Sequence, residues 1–462
     1  MPRPLLLALI VACALFMESL DATVISTSLP VIAAALGESP IALKLALTAY
    51  LVSLAVFIPV SGWFADRYGA RRVFRAAIVV FTLGSVACGF ASSLGGFVVA
   101  RFLQGMGGAM MVPVGRLLLM KSVAKDEMVT ALSYLTIPAL LGPVFGPLLG
   151  GFISTYFDWR WIFFINVPIA LLGLYFAGRY IPNLREEQTW PLDLRGFVLS
   201  GLGLSLLTLG LATAGQHLLS GELSAACAAG GALLLAAYVR HARGCAHPLL
   251  DFRFLQVPTY RVSVLGGWLF RLGVGATPFL LPLLLQLGLG MSPLQSGALT
   301  CVSALAAIGM KTLSARILRR FGFRSVLTVN ALIASLVLAV CGLFDTATPV
   351  WLLLCVLLAS GFFRSLQFTA LNAICYADIE RVDMGSASGL ANVAQQLALS
   401  AGVTVGAFML EASAAMHGHA SVTIGDFAWA FLGVSLLSAA AAWPALRLPA
   451  DAGAEVSGHR AA

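Results

Sequence analysis

The stretch Gly142-Pro-Val-Phe-Gly-Pro-Leu-Leu-Gly-Gly151 decides how this chain is read. It lies inside an apolar run long enough to cross a bilayer. Gly142, Gly146 and Gly150 recur every fourth residue, so in a helix they line one face and admit a second helix to backbone contact. Gly151 follows directly. Pro143 and Pro147 remove two backbone donors and are expected to bend the helix where it packs. A packing seam is the simpler reading of one small-residue run. The doubled Gly-Pro instead points to a helix that rocks or seals against its neighbour.

The surrounding composition leads to the same place. Of 462 residues, 60% are hydrophobic and only 10% charged, and the mean hydropathy is +0.94. A soluble domain carries roughly 25% charged residues. Apolar runs of about twenty residues predict spans at 5–28, 43–64, 74–92, 96–119, 131–154, 161–180, 196–214 and 222–239. Six more follow at 262–288, 295–315, 325–343, 350–372, 388–411 and 426–446. The prediction is an all-α membrane protein with fourteen spans. The first run is too long for a signal-peptide core and lacks a convincing cleavage site, so it is expected to remain as helix one.

Basic residues set the predicted orientation. Nearly all Lys and Arg, from Arg67 and Arg71 to Lys125, Arg381 and Arg460, fall in loops on one side. Only Lys44 and Arg160 fall on the other, while Arg101, Arg116, Arg271, Lys311 and Arg364 lie within spans. The positive-inside rule therefore predicts both termini in the cytoplasm. The net charge of +8 reflects topology and anionic lipid contact rather than a nucleic-acid footprint. The eight Cys show no metal-type spacing, so neither a disulfide framework nor a zinc site is predicted.

Four further stretches join the first. They are Leu20-Asp-Ala-Thr-Val-Ile-Ser-Thr-Ser-Leu-Pro30, Gly62-Trp-Phe-Ala-Asp-Arg-Tyr-Gly-Ala-Arg-Arg72, Arg101-Phe-Leu-Gln-Gly-Met-Gly-Gly-Ala109 and Asp158-Trp-Arg-Trp-Ile-Phe-Phe-Ile-Asn-Val-Pro168. Together, in this order, the five resemble the motifs of the major facilitator superfamily, in particular its drug:proton antiporter branch with fourteen spans. The run Met110-Met-Val-Pro-Val-Gly-Arg-Leu117 narrows the resemblance to one subgroup of that branch. The resemblance implies two six-helix bundles with two inserted helices. It also implies alternating access about a substrate site near the bilayer midplane, between the halves.

A faint repeat supports two related halves. Arg67-Tyr-Gly-Ala-Arg71 returns as Arg320-Phe-Gly-Phe-Arg324, and Arg101-Phe-Leu-Gln104 as Arg364-Ser-Leu-Gln367. Leu15-Phe16 with Ala22-Thr23 returns as Leu269-Phe270 with Ala276-Thr277. The expected division is a bundle over 1–181, two inserted helices with linkers over 182–261, a second bundle over 262–447, and a cytoplasmic tail over 448–462.

Candidate chemistry begins with Glu18 and Asp21, three residues apart and so nearly on one helix face. Two ionised carboxylates this close repel, and burial disfavours the charged form, so the pair is expected to exchange a proton. The alternative is an inert acid held permanently by an Arg. In the family fold helices one and four both line the cavity, which puts Arg101 within reach of Asp21, either as a coupling partner or as a fixed structural pair. Gln104 completes that motif. Gly62, Asp66, Arg67, Gly69, Arg71 and Arg72 form a turn expected to act as a conformational latch. Its second copy has Arg319 where an acid would stand.

Arg271 and Arg364 lie deep in apolar spans. If they line the cavity, an anionic substrate such as a carboxylate or its metal chelate is favoured; if they pair with acids or carbonyls, it is not. A two-histidine metal site at His417 and His419 is not favoured. No Walker, zinc-protease or nucleophile-elbow motif is present, so the reading is a transporter and not an enzyme. It has no cofactor and is driven by the proton gradient, with small molecules, protons and lipids as partners, functional as a monomer. A periplasmic adaptor stays open, as do a facilitator and a sensor with a transporter fold.

Overall fold

The computed structural model describes residues 3–122, 128–182, 185, 191–213, 219–380, 383–419 and 421–459. Lys125, Arg381 and Arg460, which entered the predicted orientation, lie outside them, as do parts of the linkers and the end of the tail. The described secondary structure is helical throughout, and the chain forms two units, Met1–Leu250 and Asp251–Ala462.

The first unit begins with α1 (Arg3–Val24), which tightens into a 3-10 turn at Ile25–Thr27 before α2 (Leu29–Leu36). Pro30 sits in the first turn of α2, where its missing N–H costs nothing, and Gly37 ends that helix with φ 70°. There follow α3 (Lys44–Tyr68), α4 (Ala70–Phe90), α5 (Leu94–Ser122), α6 (Met128–Tyr156), α7 (Trp161–Phe164), α8 (Asn166–Tyr180), α9 (Leu194–Thr213) and α10 (Gly221–Gly244). Helix α5 lies against both α3 and α4, α1 against α6, and α9 against α10 and α3. The core between α1, α3, α4, α5 and α8 is filled by Leu15, Phe74, Phe81 and Met111.

The second unit holds α11 (Pro258–Arg261), α12 (Gly267–Leu283), α13 (Pro293–Cys341), α14 (Val350–Cys375), α15 (Met384–Met416), α16 (Ile424–Ala439), α17 (Ala442–Leu446) and α18 (Ala454–Ser457). Single-turn π-helical segments at Val262–Gly266 and Leu284–Gly288 flank α12. A capping box between Ser292 and Gln295, with Pro293 in the first turn, starts α13. Helix α12 packs on α15, and α13 on α14.

Among the described residues, twelve helices are long and apolar enough to cross a membrane, in place of the fourteen separate spans expected. The predicted spans 295–315 and 325–343 fall inside the single 49-residue α13. At about 1.5 Å per residue, such a helix is more than twice as long as the roughly 30 Å hydrocarbon core is thick. Its course breaks at Gly322, where φ is 70° and ψ 166°. The predicted span 131–154 lies within α6, which is not one of the twelve.

Gly322 answers Gly69 in the sequence repeat. Gly69 caps the turn between α3 and α4 at φ 96° and ψ 128°. Both positions need a positive φ that L side chains rarely adopt, so the repeat is a repeat of chain reversal.

Candidate functional site

The glycine face of α6 meets α1. A Cβ on Gly142 would lie 2.5 Å from Ser19 Cβ and 2.9 Å from Leu20 N. One on Gly146 would run into Thr23 Oγ1, and one on Gly150 into the Val24 carbonyl. The hydroxyls of α1 use that proximity. Thr23 Oγ1 lies 3.3 Å from Gly142 O while donating to Ser19 O in its own helix at 2.9 Å, Thr27 Oγ1 donates to Pro147 O at 3.2 Å, and Ser28 Oγ to Gly150 O at 3.3 Å. Ser154 Oγ donates to Ser28 Oγ at 2.7 Å. Pro143, Pro147 and Gly151 lie in the same segment of α6. Helix α1, carrying Glu18 and Asp21, is therefore held by a hydroxyl ladder against a surface without side chains.

Asp21 is fully buried and carries three donors. Arg101 Nη1 donates to its Oδ2 at 2.6 Å, Gln104 Nε2 to its Oδ1 at 2.8 Å, and Asn166 Nδ2 to the same oxygen at 3.1 Å. Arg101 Nη1 also donates to Gln104 Oε1 at 2.6 Å. Asn166 reaches on to Ser85 Oγ at 2.9 Å, and Ser85 donates to the Phe163 carbonyl at 2.9 Å. One carboxylate thus gathers groups from α1, α5 and α8, with α4 joined through Asn166. Arg101 reaches it because α5 packs closely: Gly105 lies against the Tyr50 carbonyl and Gly107 against the backbone of Phe81.

Glu18 is placed differently. It is half-buried, and Tyr50 Oη donates to its Oε1 at 3.2 Å. The same Tyr50 ring lies under the Arg101 guanidinium, 4.4 Å from its centroid, so one tyrosine touches both halves of the cluster. Among the described residues, no partner is found for Arg101 Nε or Asn166 Oδ1.

The six residues expected to form a turn are mostly helical: Gly62, Asp66 and Arg67 lie in the last turns of α3, Arg71 and Arg72 in the first turn of α4, and only Gly69 stands between the two helices. Arg71 Nη1 donates to the Ile181 carbonyl at 3.4 Å, tying the start of α4 to the end of α8. Arg67 and Arg72 are exposed and Asp66 is half-buried. A side chain at Gly62 would meet nothing within 4 Å, so of the two glycines only Gly69 is demanded by geometry.

In the second unit Arg271 is buried, donating to Ser263 O and to Asn372 Oδ1, both at 3.2 Å, with Phe368 beneath it. Arg364 is half-buried, donates to Ser303 Oγ at 3.0 Å, and lines a small cavity with Phe270, Thr277 and Ser360. All these partners are neutral. Counting from Ala22-Thr23 and Ala276-Thr277, Gly275 stands where the first unit has Asp21, and a Cβ there would strike the Leu399 carbonyl. The second unit therefore repeats the arginine without its acid. The sequence reading missed Tyr50, Ser85 and Asn166. Asn166 left a signal, as a lone amide in an apolar helix beside Pro168.

The sequence matches the Major Facilitator Superfamily over residues 11–403 and again over 263–460. The chain belongs to this superfamily. It is accordingly a multi-pass membrane transporter that handles small molecules, and not an enzyme. It is 37% identical over 447 residues to "Putative multidrug resistance protein MdtD" of Serratia proteamaculans, covering 96% of this chain and 93% of that one. The protein of the same name from Salmonella heidelberg is 40% identical over 403 residues, covering 87% and 85%. Met110–Leu117 pointed to this subgroup of the superfamily. The fold is also similar to an auto-inhibited POT family peptide transporter, with a TM-score of 0.70 at 17% identity, covering 97% of this chain and 98% of that one.

Proposed function

We propose that the chain exports small, drug-like molecules across the bacterial inner membrane, exchanging them for external protons by alternating access. The observation that carries this reading is the buried Asp21–Arg101 pair, with Glu18 one turn away and bonded to a tyrosine rather than to a cation. Asp21 already accepts three hydrogen bonds, one of them from the Arg101 cation, so a proton arriving there cancels the charge with which Arg101 pairs. Glu18 is open to a proton without that disruption. Arg101 Nε and Asn166 Oδ1 are spare groups with which a second arrangement can form. In this reading Glu18 exchanges the proton, Asp21 and Arg101 transmit its presence, Gln104 and Asn166 align the pair, and the α3–α4 junction around Gly69, with Asp66, Arg67, Arg71 and Arg72, latches one state.

The architecture proposed is fourteen crossings with both termini cytoplasmic. Beyond the twelve helices, α6 supplies one more crossing and the reversal at Gly322 divides α13 into two. Residues 1–181 and 262–447 form the two six-helix bundles, 182–261 the inserted pair with its linkers, and 448–462 the tail. The names of the relatives support multidrug export.

A second reading is export of a small organic anion or its metal chelate. Arg364 favours it, being half-buried beside a cavity and, among the described residues, bonded to a neutral hydroxyl. Proton release from detergent-solubilised protein tests both, with cationic dyes added in one arm and small carboxylates or their chelates in the other. Release with dyes alone supports multidrug exchange, and release with carboxylates alone supports the anion. Binding without release in either arm overturns proton coupling. Loss of release in Glu18→Gln with retained substrate binding places the exchangeable proton at Glu18.

A further inference from the structure

Away from the transport cluster, three potential ligands converge where α9 and α10 of the inserted pair end. Asp193 lies just before α9, and His241 and Cys245 lie at the close of α10. Oxygen, imidazole nitrogen and sulfur all fall within 4.8 Å of one another. His241 lies in the last turn of α10, and Cys245, four residues on, is its C-cap in extended conformation. We infer that Asp193, His241 and Cys245 form a binding site for a thiophilic divalent cation of the zinc class.

The donor set selects the metal. Imidazole, thiolate and carboxylate together suit zinc and its neighbours, whereas magnesium and calcium demand oxygen ligands. The carboxylate is also fixed in advance, as metal ligands usually are. Asp193 Oδ1 accepts from Gly196 N at 2.8 Å, and Oδ2 from Leu249 N at 3.4 Å. Gly196 is glycine for a reason, since a Cβ there would collide with the Asp193 carboxylate. Leu249 is brought over because Tyr238 Oη binds both N and O of Leu250.

Little movement is needed. His241 Nε2 and Asp193 Oδ1 stand 2.7 Å apart, a hydrogen-bond distance. With metal bonds of about 2.0–2.3 Å, a tetrahedral ion holds its ligand atoms roughly 3.2–3.8 Å apart. The nitrogen and oxygen separate slightly, and the Cys245 side chain turns inward on a helix end that leaves it half-buried. The Cys245 thiol proton leaves to solvent as the sulfur coordinates. Entry is open, through a surface pocket lined by His241, Gly244, Cys245 and Arg240, with room for a water as fourth ligand. The carboxylate and thiolate balance the charge of the divalent ion, and Arg240 is exposed, so its charge is screened by solvent. A bound ion would clip together the ends of two helices that the Asp193–His241 hydrogen bond already brings side by side.

The test uses full-length protein carrying no polyhistidine tag, purified in detergent and stripped of metal. Titration with Co2+ is expected to produce a thiolate-to-metal charge-transfer band saturating near one equivalent and displaced by Zn2+. Cys245→Ser should abolish the band, and His241→Gln should weaken cobalt binding by about tenfold or more. Absence of the band in the parent, or its persistence in Cys245→Ser, overturns the site. If the variants do not elute as monodisperse protein, Zn2+ protection of Cys245 against maleimide, read by peptide mass spectrometry, decides. Protection supports the site, and an unchanged labelling rate rejects it.

Discussion

Arg101 Nη1 lies 2.6 Å from Asp21 Oδ2, and the two side chains are 1% and 0% exposed. A buried pair of this kind is no guarantee of net stability, because desolvating both charges costs about as much as their attraction returns. Removing one partner is another matter. Asp21→Asn leaves a buried guanidinium without its counter-charge and is expected to cost about 3–5 kcal/mol. The double variant Asp21→Asn/Arg101→Gln should recover part of that loss. Thermal unfolding of the four proteins in one detergent measures the coupling; a double variant no more stable than the worse single would mean the pair does not act as a unit.

The α6–α1 seam predicts a contrast between glycines. Gly150→Val pushes a side chain into the Val24 carbonyl and should cost about 1–3 kcal/mol, with export falling sharply. Gly62→Ala meets nothing within 4 Å and should leave both expression and export near the parent level. Equal behaviour of the two in an efflux assay would remove the seam from the mechanism.

Arg364 separates the two substrate classes. Arg364→Gln gives up one hydrogen bond to Ser303 and should change stability little. If the cargo is anionic, its affinity should fall about tenfold or more, the scale of a lost charge-assisted hydrogen bond. Affinity for a cationic dye should not fall. Isothermal binding with one ligand of each sign distinguishes these outcomes.

Outside the spans, Asp251 caps a 3-10 turn and is gripped by Arg253, with Nη2 at 2.6 Å and Nε at 2.9 Å. The Arg253 side chain holds the Asp251 carboxyl below the usual carboxylate range. A carboxyl depressed on folding contributes stability above its unfolded value of about 3.9, and that contribution is lost as pH falls through the folded value. Asp251→Asn should therefore melt lower than the parent at pH 7. The gap should close as the pH is taken below about 4. Because Arg253 is largely exposed, the gap is expected to be small.

Much of this was readable from the chain, for reasons that differ by residue. Asp21 and Arg101 stand out because a charge in an apolar span is costly and therefore conspicuous. The glycines of α6 declare themselves by period, and Gly69 and Gly322 by a repeat that preserves the two places where the backbone must turn left. Tyr50, Ser85 and Asn166 were harder. Their meeting with Glu18 and Asp21 spans 32 residues in one case and 145 in another, and no local pattern encodes such a contact. Fourteen separate helices were expected and twelve are found among the described residues, in part because α13 continues through the kink at Gly322. Asp193, just before α9, and His241, in the last turn of α10, lie 48 residues apart, so ligand spacing along the chain could not reveal them.

The wiring of Asp21 has a consequence for how the protein is made. Its arginine lies 80 residues downstream and its asparagine 145. At about 5–20 residues per second, the acid leaves the ribosome several seconds before the first of its partners exists. The first helix thus enters the membrane carrying a group that costs about 2.5–3.5 kcal/mol at the bilayer centre, with nothing yet to offset it. The helix is apolar enough to enter first, but its acid finds its donors only when α5 and α8 arrive, so the residue that ties four helices together in the finished transporter is expected to be among the last to settle.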